Sequence, residues 1–314
     1  MSVINSQEIK RLCGLYGLRP SKQYGQNFLL AAEPIKKILA AAELTKNDTV
    51  IEIGPGFGVL TLALAPLVKK VLAFEIEKKL QPYWEEKVKE YPNVEMVWGD
   101  FISNWKREKG KEKRAVFKID QTNIQPFLIS HFSFQSGYKV LANLPYNITS
   151  QVIRLFLESD HKPERLVLMV QKEVAERICA RPGEMSLLSV AVQYYGEPRI
   201  VAHVPRGNFW PVPKVDSAIV SIETQKTRKH ENTKTHLTDQ QFFRVVKAGF
   251  AHKRKQLWRN LASGLGIEVG RVKEMLKEVV GDEKVRAEEL SIDGWRRLSE
   301  VLRAGPKALL TRDL

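Results

Sequence analysis

The tetrapeptide Asn143-Leu144-Pro145-Tyr146 concentrates groups that could do chemistry. It follows the apolar run of residues 138–142, which reads as a buried strand. An amide, a proline-stiffened turn and an aromatic ring would then stand at the carboxyl end of a strand. Ligands of open α/β sheets bind at that edge. An amide oxygen and the Leu144 carbonyl can accept both hydrogens of an exocyclic amine, while the Tyr146 ring stacks on the base that carries it. Taken alone, the same residues also fit an ordinary strand and its turn.

A glycine-rich stretch upstream changes the balance. Ile51-Glu52-Ile53-Gly54-Pro55-Gly56-Phe57-Gly58 follows an apolar, β-branched run and opens a helix. Glycines there let the backbone turn tightly and approach a ligand closely. Dinucleotide enzymes space them Gly-x-Gly-x-x-Gly, with a pyrophosphate at the helix amino terminus. Here the spacing is Gly-x-Gly-x-Gly and Glu52 adjoins it, which would repel pyrophosphate and suit a cationic ligand. Glu75 and Asp100 end the next two strands. One acid can accept from ribose hydroxyls and the other from an adenine amine. Each acid alone could be a solvated strand terminus. Together with the glycine loop, in order, they describe a site for S-adenosyl-L-methionine, and with the tetrapeptide a methyl transfer to a nucleobase amine.

These residues need a scaffold of alternating elements. Strands are expected at residues 49–53, 70–74, 94–98, 139–142 and 165–170, and helices at 59–67, 78–90, 150–159 and 172–180. Such alternation implies a largely parallel sheet wrapped by helices, an α/β fold. Residues 187–195 and the period-2 strand 217–223 read as later elements of the same domain. The first 45 or so residues look helical with one break at residues 18–21. Residues 224–238 read as a flexible polar linker, and from Asp239 onward the pattern is helical only. Residues 106–114, dense in charge, read as a solvated excursion.

The bulk properties agree. At 314 residues and 43% hydrophobic composition, the chain can bury one large core and a smaller one. A net charge of +14 favours a polyanionic partner, RNA or DNA. Two cysteines far apart, with no Cys/His cluster, leave no expectation of a metal. The amino terminus lacks a signal-peptide core and no apolar run is long enough to span a bilayer, so a soluble cytoplasmic protein is expected, with no membrane partner.

The chain resembles the ribosomal RNA adenine N6-dimethyltransferases, and within them most closely the bacterial small-subunit (16S) RsmA/KsgA family. The matching residues are Gly25 to Leu29, Ile51 to Gly58, Gly99-Asp100, Asn143 to Ile148, Gln171 to Arg177 and Phe209 to Ser217, with an echo at Arg286 to Ser291. The resemblance implies a class I, Rossmann-like methyltransferase domain over residues 1–226 and a small all-α, RNA-binding domain over 227–314. It implies dimethylation of two adjacent adenosines in the 3′-terminal hairpin loop of 16S rRNA, within the small ribosomal subunit or its precursor. Gln26, Asn27, Leu29, Glu52, Gly54, Gly56, Glu75, Asp100 and Asn143 would hold the cofactor. Asn143, Leu144, Pro145, Tyr146 and Phe209 would form the target-base pocket. The stretch between Asp100 and Lys139 is longer than the family leads one to expect, and residues 224–238 are unusually polar.

RNA needs a separate surface. No carboxylate lies between Asp239 and Glu268, while Arg244, Lys247, Lys253, Arg254, Lys255 and Arg259 accumulate around Trp258. Lys247, Lys253, Arg254, Lys255 and Arg259 are the expected RNA contacts of a basic helical patch, with Trp258 mostly in the core. A monomer is the default expectation. Two alternatives stand beside this reading: a large-subunit (23S) RNA methyltransferase of the macrolide-resistance type, and a non-catalytic RNA-binding assembly factor that keeps the fold.

Overall fold

A computed structural model describes residues 5–20, 26–103, 137–225 and 237–304. The charged excursion at 106–114, the linker residues 226–236 and the expected domain division at 226/227 lie outside the described residues. The chain falls into two compact units, Met1–Ala175 with Glu197–Thr224, and Glu176–Gly196 with Gln225–Leu314.

The first unit is built on strands β1 (Phe28–Leu29), β2 (Thr49–Ile53), β3 (Lys70–Glu75), β4 (Val94–Trp98), β5 (Tyr138–Asn143), β6 (Arg165–Gln171), β7 (Gly196–Val204), β8 (Phe209–Trp210) and β9 (Ser217–Thr224). Seven of them form one sheet in the order β4-β3-β2-β5-β6-β9-β7. Strands β2 to β6 pair in parallel, and β9 runs antiparallel to β6. This is a Rossmann-like sheet, as the resemblance implies, mixed rather than purely parallel. Val50, Val71, Leu141 and Val167 pack into the core on one side, and Ile51, Leu72, Val140 and Leu166 are as deeply buried. Burial on both faces is why these strands read as continuous apolar runs.

Helices α1 (Ser6–Leu15), α2 (Ala32–Ala42), α3 (Thr61–Leu64), α4 (Gln81–Glu90) and α5 (Thr149–Leu157) cover the sheet, with α2 against β5, β6 and β9. The helix expected at 59–67 is shorter than its pattern. It becomes a 3-10 turn over Ala65–Leu67, because Pro66 removes an amide donor. Strand β7 is not marked by any apolar run. It lies at the sheet edge, mostly half-exposed, the kind of strand in which a proline such as Pro198 is tolerated. The two-residue pair β1–β8 aligns Phe28 with Trp210 and Leu29 with Phe209.

The second unit gathers α7 (Leu187–Tyr195), α8 (Asp239–Gly249), α9 (Leu257–Leu265), α10 (Val269–Val280) and α11 (Ile292–Ala304), and the division of the chain falls within α6 (Lys172–Ile178). Phe242, Val246, Leu261, Leu276 and Trp295 form its core. Helix α7 groups here rather than with the sheet elements expected to include it. The Tyr194 and Tyr195 hydroxyls both donate to Asp239, at 3.0 and 2.8 Å, and Tyr194 stacks on Phe242 with centroids 4.1 Å apart. Among the described residues, no helix is long and apolar enough to cross a membrane.

Candidate active site

Strand order reverses between β2 and β5, and a ligand crevice opens outside the carboxyl ends of strands at such a point. Two adjoining cavities occupy that edge, sharing Gly54, Ile76 and Pro145. Gln26, Asn27, Leu29, Glu52, Gly54, Gly56, Glu75, Asn143, Leu144, Pro145 and Tyr146 line the first, which has an empty volume of about 840 Å³. Asp100 lines the second with Gly99, Phe101 and Ile102. The structure therefore brings together every expected cofactor residue at one sheet edge.

The glycine loop has the backbone that only glycine adopts easily. Gly54, Gly56 and Gly58 have φ of +72°, +54° and +79°. Neighbouring rings clamp it. The Trp84 indole N–H donates to the Gly56 carbonyl at 2.9 Å, and the Tyr83 hydroxyl to the Phe57 carbonyl at 2.9 Å. Phe28 packs against Phe57 with centroids 5.2 Å apart, so β1 closes over the loop. A Cβ on Gly54 would meet only Pro145 Cδ, at 3.9 Å. The loop after β2 and the turn after β5 thus face one another.

The acids are held by the chain itself. Glu75 accepts the Gly56 amide on Oε2 at 3.1 Å and the Glu77 amide on Oε1 at 2.8 Å. A carboxylate has about four acceptor positions, so these amides do not exhaust its capacity to accept from a ligand. Burial pushes the Glu75 carboxyl above its usual range, with the Glu77, Gly56 and Ile76 amides opposing the rise. Asp100 accepts the Ile102 amide at 3.0 Å and the Ser103 hydroxyl. Glu52 is 2% exposed, and its Oε2 has no hydrogen-bond partner among the described residues. Burial pushes its carboxyl up to about 8; the nearby Thr61 hydroxyl opposes this without a well-formed hydrogen bond, and the Glu75 charge adds to it. An orphaned buried acid beside a glycine cradle suits a ligand bearing positive charge, which S-adenosylmethionine is. The residues present fit that cofactor.

Asn143 is oriented by a contact that no local pattern announces. Its side-chain amide donates to the Asn27 backbone carbonyl at 3.2 Å, which leaves Oδ1 as the free acceptor end. The Leu144 amide donates to the Met169 carbonyl at 3.2 Å, tying the turn to β6. Tyr146 is half-buried, and its hydroxyl lies 2.8 Å from Ser217 Oγ. Phe209 lines neither cavity. It is 1% exposed and belongs to the core, where it opposes Leu29 and anchors β1, which Gln26 and Asn27 immediately precede. A ring so enclosed presents no face to a base, so packing before the proline turn is what this geometry supports.

The cations sit in the second unit. Lys247 is exposed in the last turn of α8, Lys253, Arg254 and Lys255 are exposed on the turn between α8 and α9, and Arg259 is exposed in α9. The expected patch is therefore centred on a turn rather than a helix. Trp258 is only partly buried. Arg259 and Lys273 lie 4.9 and 5.0 Å from its ring centroid, and its indole N–H donates to Gln256 at 2.8 Å.

The chain is similar to known proteins in sequence and in fold. Residues 17–304 match the family described as ribosomal RNA adenine dimethylase. The chain is 40% identical over 291 residues to ribosomal RNA small subunit methyltransferase A of Dehalococcoides mccartyi, covering 93% of this chain and 91% of that one. Its fold superposes on a dimethyladenosine transferase from Plasmodium falciparum with a TM-score of 0.66 and 25% identity, over 86% of this chain and 95% of that one. For the 23S rRNA methyltransferase ErmE the TM-score is 0.64 at 25% identity, over 87% and 98%. The chain belongs to the ribosomal RNA adenine dimethylase family of S-adenosylmethionine-dependent methyltransferases.

Proposed function

We propose that this enzyme dimethylates N6 of two adjacent adenosines in the 3′-terminal hairpin loop of 16S rRNA, acting on the small ribosomal subunit or its precursor. The observation that carries the reading is the Asn143 amide, turned by the Asn27 carbonyl so that Oδ1 is left to accept. The small-subunit target follows the name of the 40%-identical relative. A monomer in the cytoplasm completes the reading.

The bound cofactor supplies an electrophilic sulfonium methyl. The protein's task is to present a poor nucleophile, because the N6 lone pair is delocalised into the adenine ring. Asn143 Oδ1 and the Leu144 carbonyl accept the two N6 hydrogens, which draws the lone pair out of conjugation. Tyr146 stacks on the extruded base, returning about 1–3 kcal/mol against an unstacking cost of a few kcal/mol. Alignment of this kind supplies roughly 7–11 kcal/mol in the best cases. No strong base is required, since the nitrogen becomes acidic on alkylation. Glu52 and Glu75 hold the cofactor's cationic and ribose ends, and Asp100 its adenine amine. The exposed cations at Lys247, Lys253, Arg254, Lys255 and Arg259 hold RNA phosphates.

The test uses labelled S-adenosylmethionine with unmethylated small and large subunits, followed by digestion and nucleoside mass analysis. N6,N6-dimethyladenosine from the small subunit alone is expected. Label in the large subunit would move the enzyme to the resistance type. Cofactor binding without transfer to either would favour an assembly factor.

A further inference from the structure

Tyr146 is the only aromatic ring of the tetrapeptide, and its orientation is set from another part of the sheet. Its hydroxyl lies 2.8 Å from Ser217 Oγ, across 71 positions of chain. Ser217 is fully buried at the first residue of β9, in register with Gln171 of β6. The residue before it is fastened twice: the Asp216 carbonyl accepts the Lys172 amide at 3.0 Å, and Asp216 Oδ1 accepts the Arg206 amide at 2.9 Å. The partner of the Tyr146 hydroxyl is therefore a fixed point of the sheet.

Pro145 stiffens the backbone before Tyr146, but a tyrosine ring still rocks about its two side-chain torsions. A hydrogen bond at the far end of the ring removes most of that freedom. Burial pushes the Tyr146 hydroxyl up from its usual range, with Ser217 opposing and the Asp216 charge adding, so the phenol stays neutral and able to donate.

We propose that Ser217 is a positioning residue for methyl transfer, holding the plane of the Tyr146 ring so that the target base stacks within reach of Asn143. This rests on the reading of Tyr146 as the base platform. One neutral hydrogen bond held only in the aligned state is worth about a three- to tenfold change in rate.

The experiment compares Ser217→Ala, Tyr146→Phe, the double variant and Tyr146→Ala, all as the full chain on unmethylated small subunits. Cofactor affinity is measured separately by calorimetry. Ser217→Ala and Tyr146→Phe should each lower kcat by about three- to tenfold while KM for the subunit and cofactor Kd change by less than about twofold. The double variant should be no slower than either single one. A merely structural serine would lower thermal stability and active fraction without this split, and the losses would not coincide with those of Tyr146→Phe. Wild-type kcat for Ser217→Ala beside an inactive Tyr146→Ala overturns the role of Ser217 and leaves the platform reading intact. Full activity of Tyr146→Ala overturns both. If Ser217→Ala does not fold, Tyr146→Phe decides alone, because it deletes the same bond while leaving Ser217 in place.

Discussion

The side-chain amide of Asn143 donates to the backbone carbonyl of Asn27 at 3.2 Å, joining residues 116 positions apart. The carbonyl cannot accept from Oδ1, so it fixes which end of the amide is left to accept. Asn143→Ala removes the acceptor and should lower kcat by roughly 10²–10³, the usual cost of one preorganised polar group at a reacting centre. Cofactor Kd should move by less than about tenfold, since a single neutral hydrogen bond is removed. Asn143→Asp should be equally slow, because its carboxylate would face the Asn27 carbonyl instead of donating to it. Single-turnover kinetics with parallel calorimetry check both. A normal rate in Asn143→Asp would show that amide orientation is not needed.

The glycines of one loop should fail in different ways. A Cβ on Gly58 would lie 2.8 Å from Trp84 Cη2 and 3.2 Å from Leu62 Cγ, at a φ of +79°. Trp84 is fully buried and cannot yield. Gly58→Ala should therefore cost about 1–2 kcal/mol of left-handed strain and a further 1–3 kcal/mol or so of overpacking. A Cβ on Gly54 meets only Pro145 Cδ at 3.9 Å, so its cost is about 1–2 kcal/mol of strain. Its methyl projects between the two strand-end loops, however. Gly58→Ala should show the larger fall in Tm, and Gly54→Ala the larger loss of cofactor affinity relative to its fall in Tm. The reverse ranking would mean that the crevice is not where the cofactor lies.

Glu52 predicts a pH dependence. Its folded-state carboxyl lies at about 8, above the unfolded value of 4.5. The stability it contributes is full below the unfolded value and is lost as pH rises through about 8. Thermal stability of the free enzyme should therefore fall between about pH 5 and 8, and Glu52→Gln should flatten that slope. Cofactor binding should run the other way. A cationic amino group favours ionised Glu52, so binding releases a proton and tightens toward about pH 8, above which a ligand α-amino group begins to lose its own charge. Calorimetry in buffers of different ionisation enthalpy measures the proton. Its absence in wild type would remove Glu52 from the cationic end of the site.

The chemistry at strand ends was legible because each acid follows an apolar run whose length and β-branching mark a buried parallel strand. Glu52, Glu75, Asp100 and Asn143 converge once those runs are accepted as neighbours in one sheet. What joins β1 to the site was not legible. The register of Leu29 against Phe209, the Asn27–Asn143 contact and the Tyr146–Ser217 contact each link segments far apart in sequence, and no local pattern encodes such pairings. Phe209 shows the same limit from the other side. Its place before a proline turn suits a pocket wall as well as a core, and only packing distinguishes them. Strand β7 escaped because an edge strand carrying Pro198 needs neither alternation nor a continuous apolar run.

The basic turn of the second unit offers a separation between binding and folding. Lys253, Arg254 and Lys255 are all exposed. The turn is shaped instead by Asn260, fully enclosed, whose amide donates to the Gly249 carbonyl at 2.7 Å and the His252 carbonyl at 3.0 Å. Changing Lys253, Arg254 and Lys255 to Glu should weaken RNA binding and reduce the slope of log affinity against log salt by about 0.7–0.9 for each phosphate no longer neutralised. Tm and cofactor Kd should hold. Asn260→Ala should do something different, leaving the buried Gly249 carbonyl without its side-chain donor at about 1–3 kcal/mol and lowering Tm before any charge is altered, while the His252 carbonyl keeps the Lys255 amide at 3.1 Å. A triple variant with unchanged salt dependence would place the phosphates elsewhere. One that failed to bind both RNA and cofactor would indicate a folding defect instead.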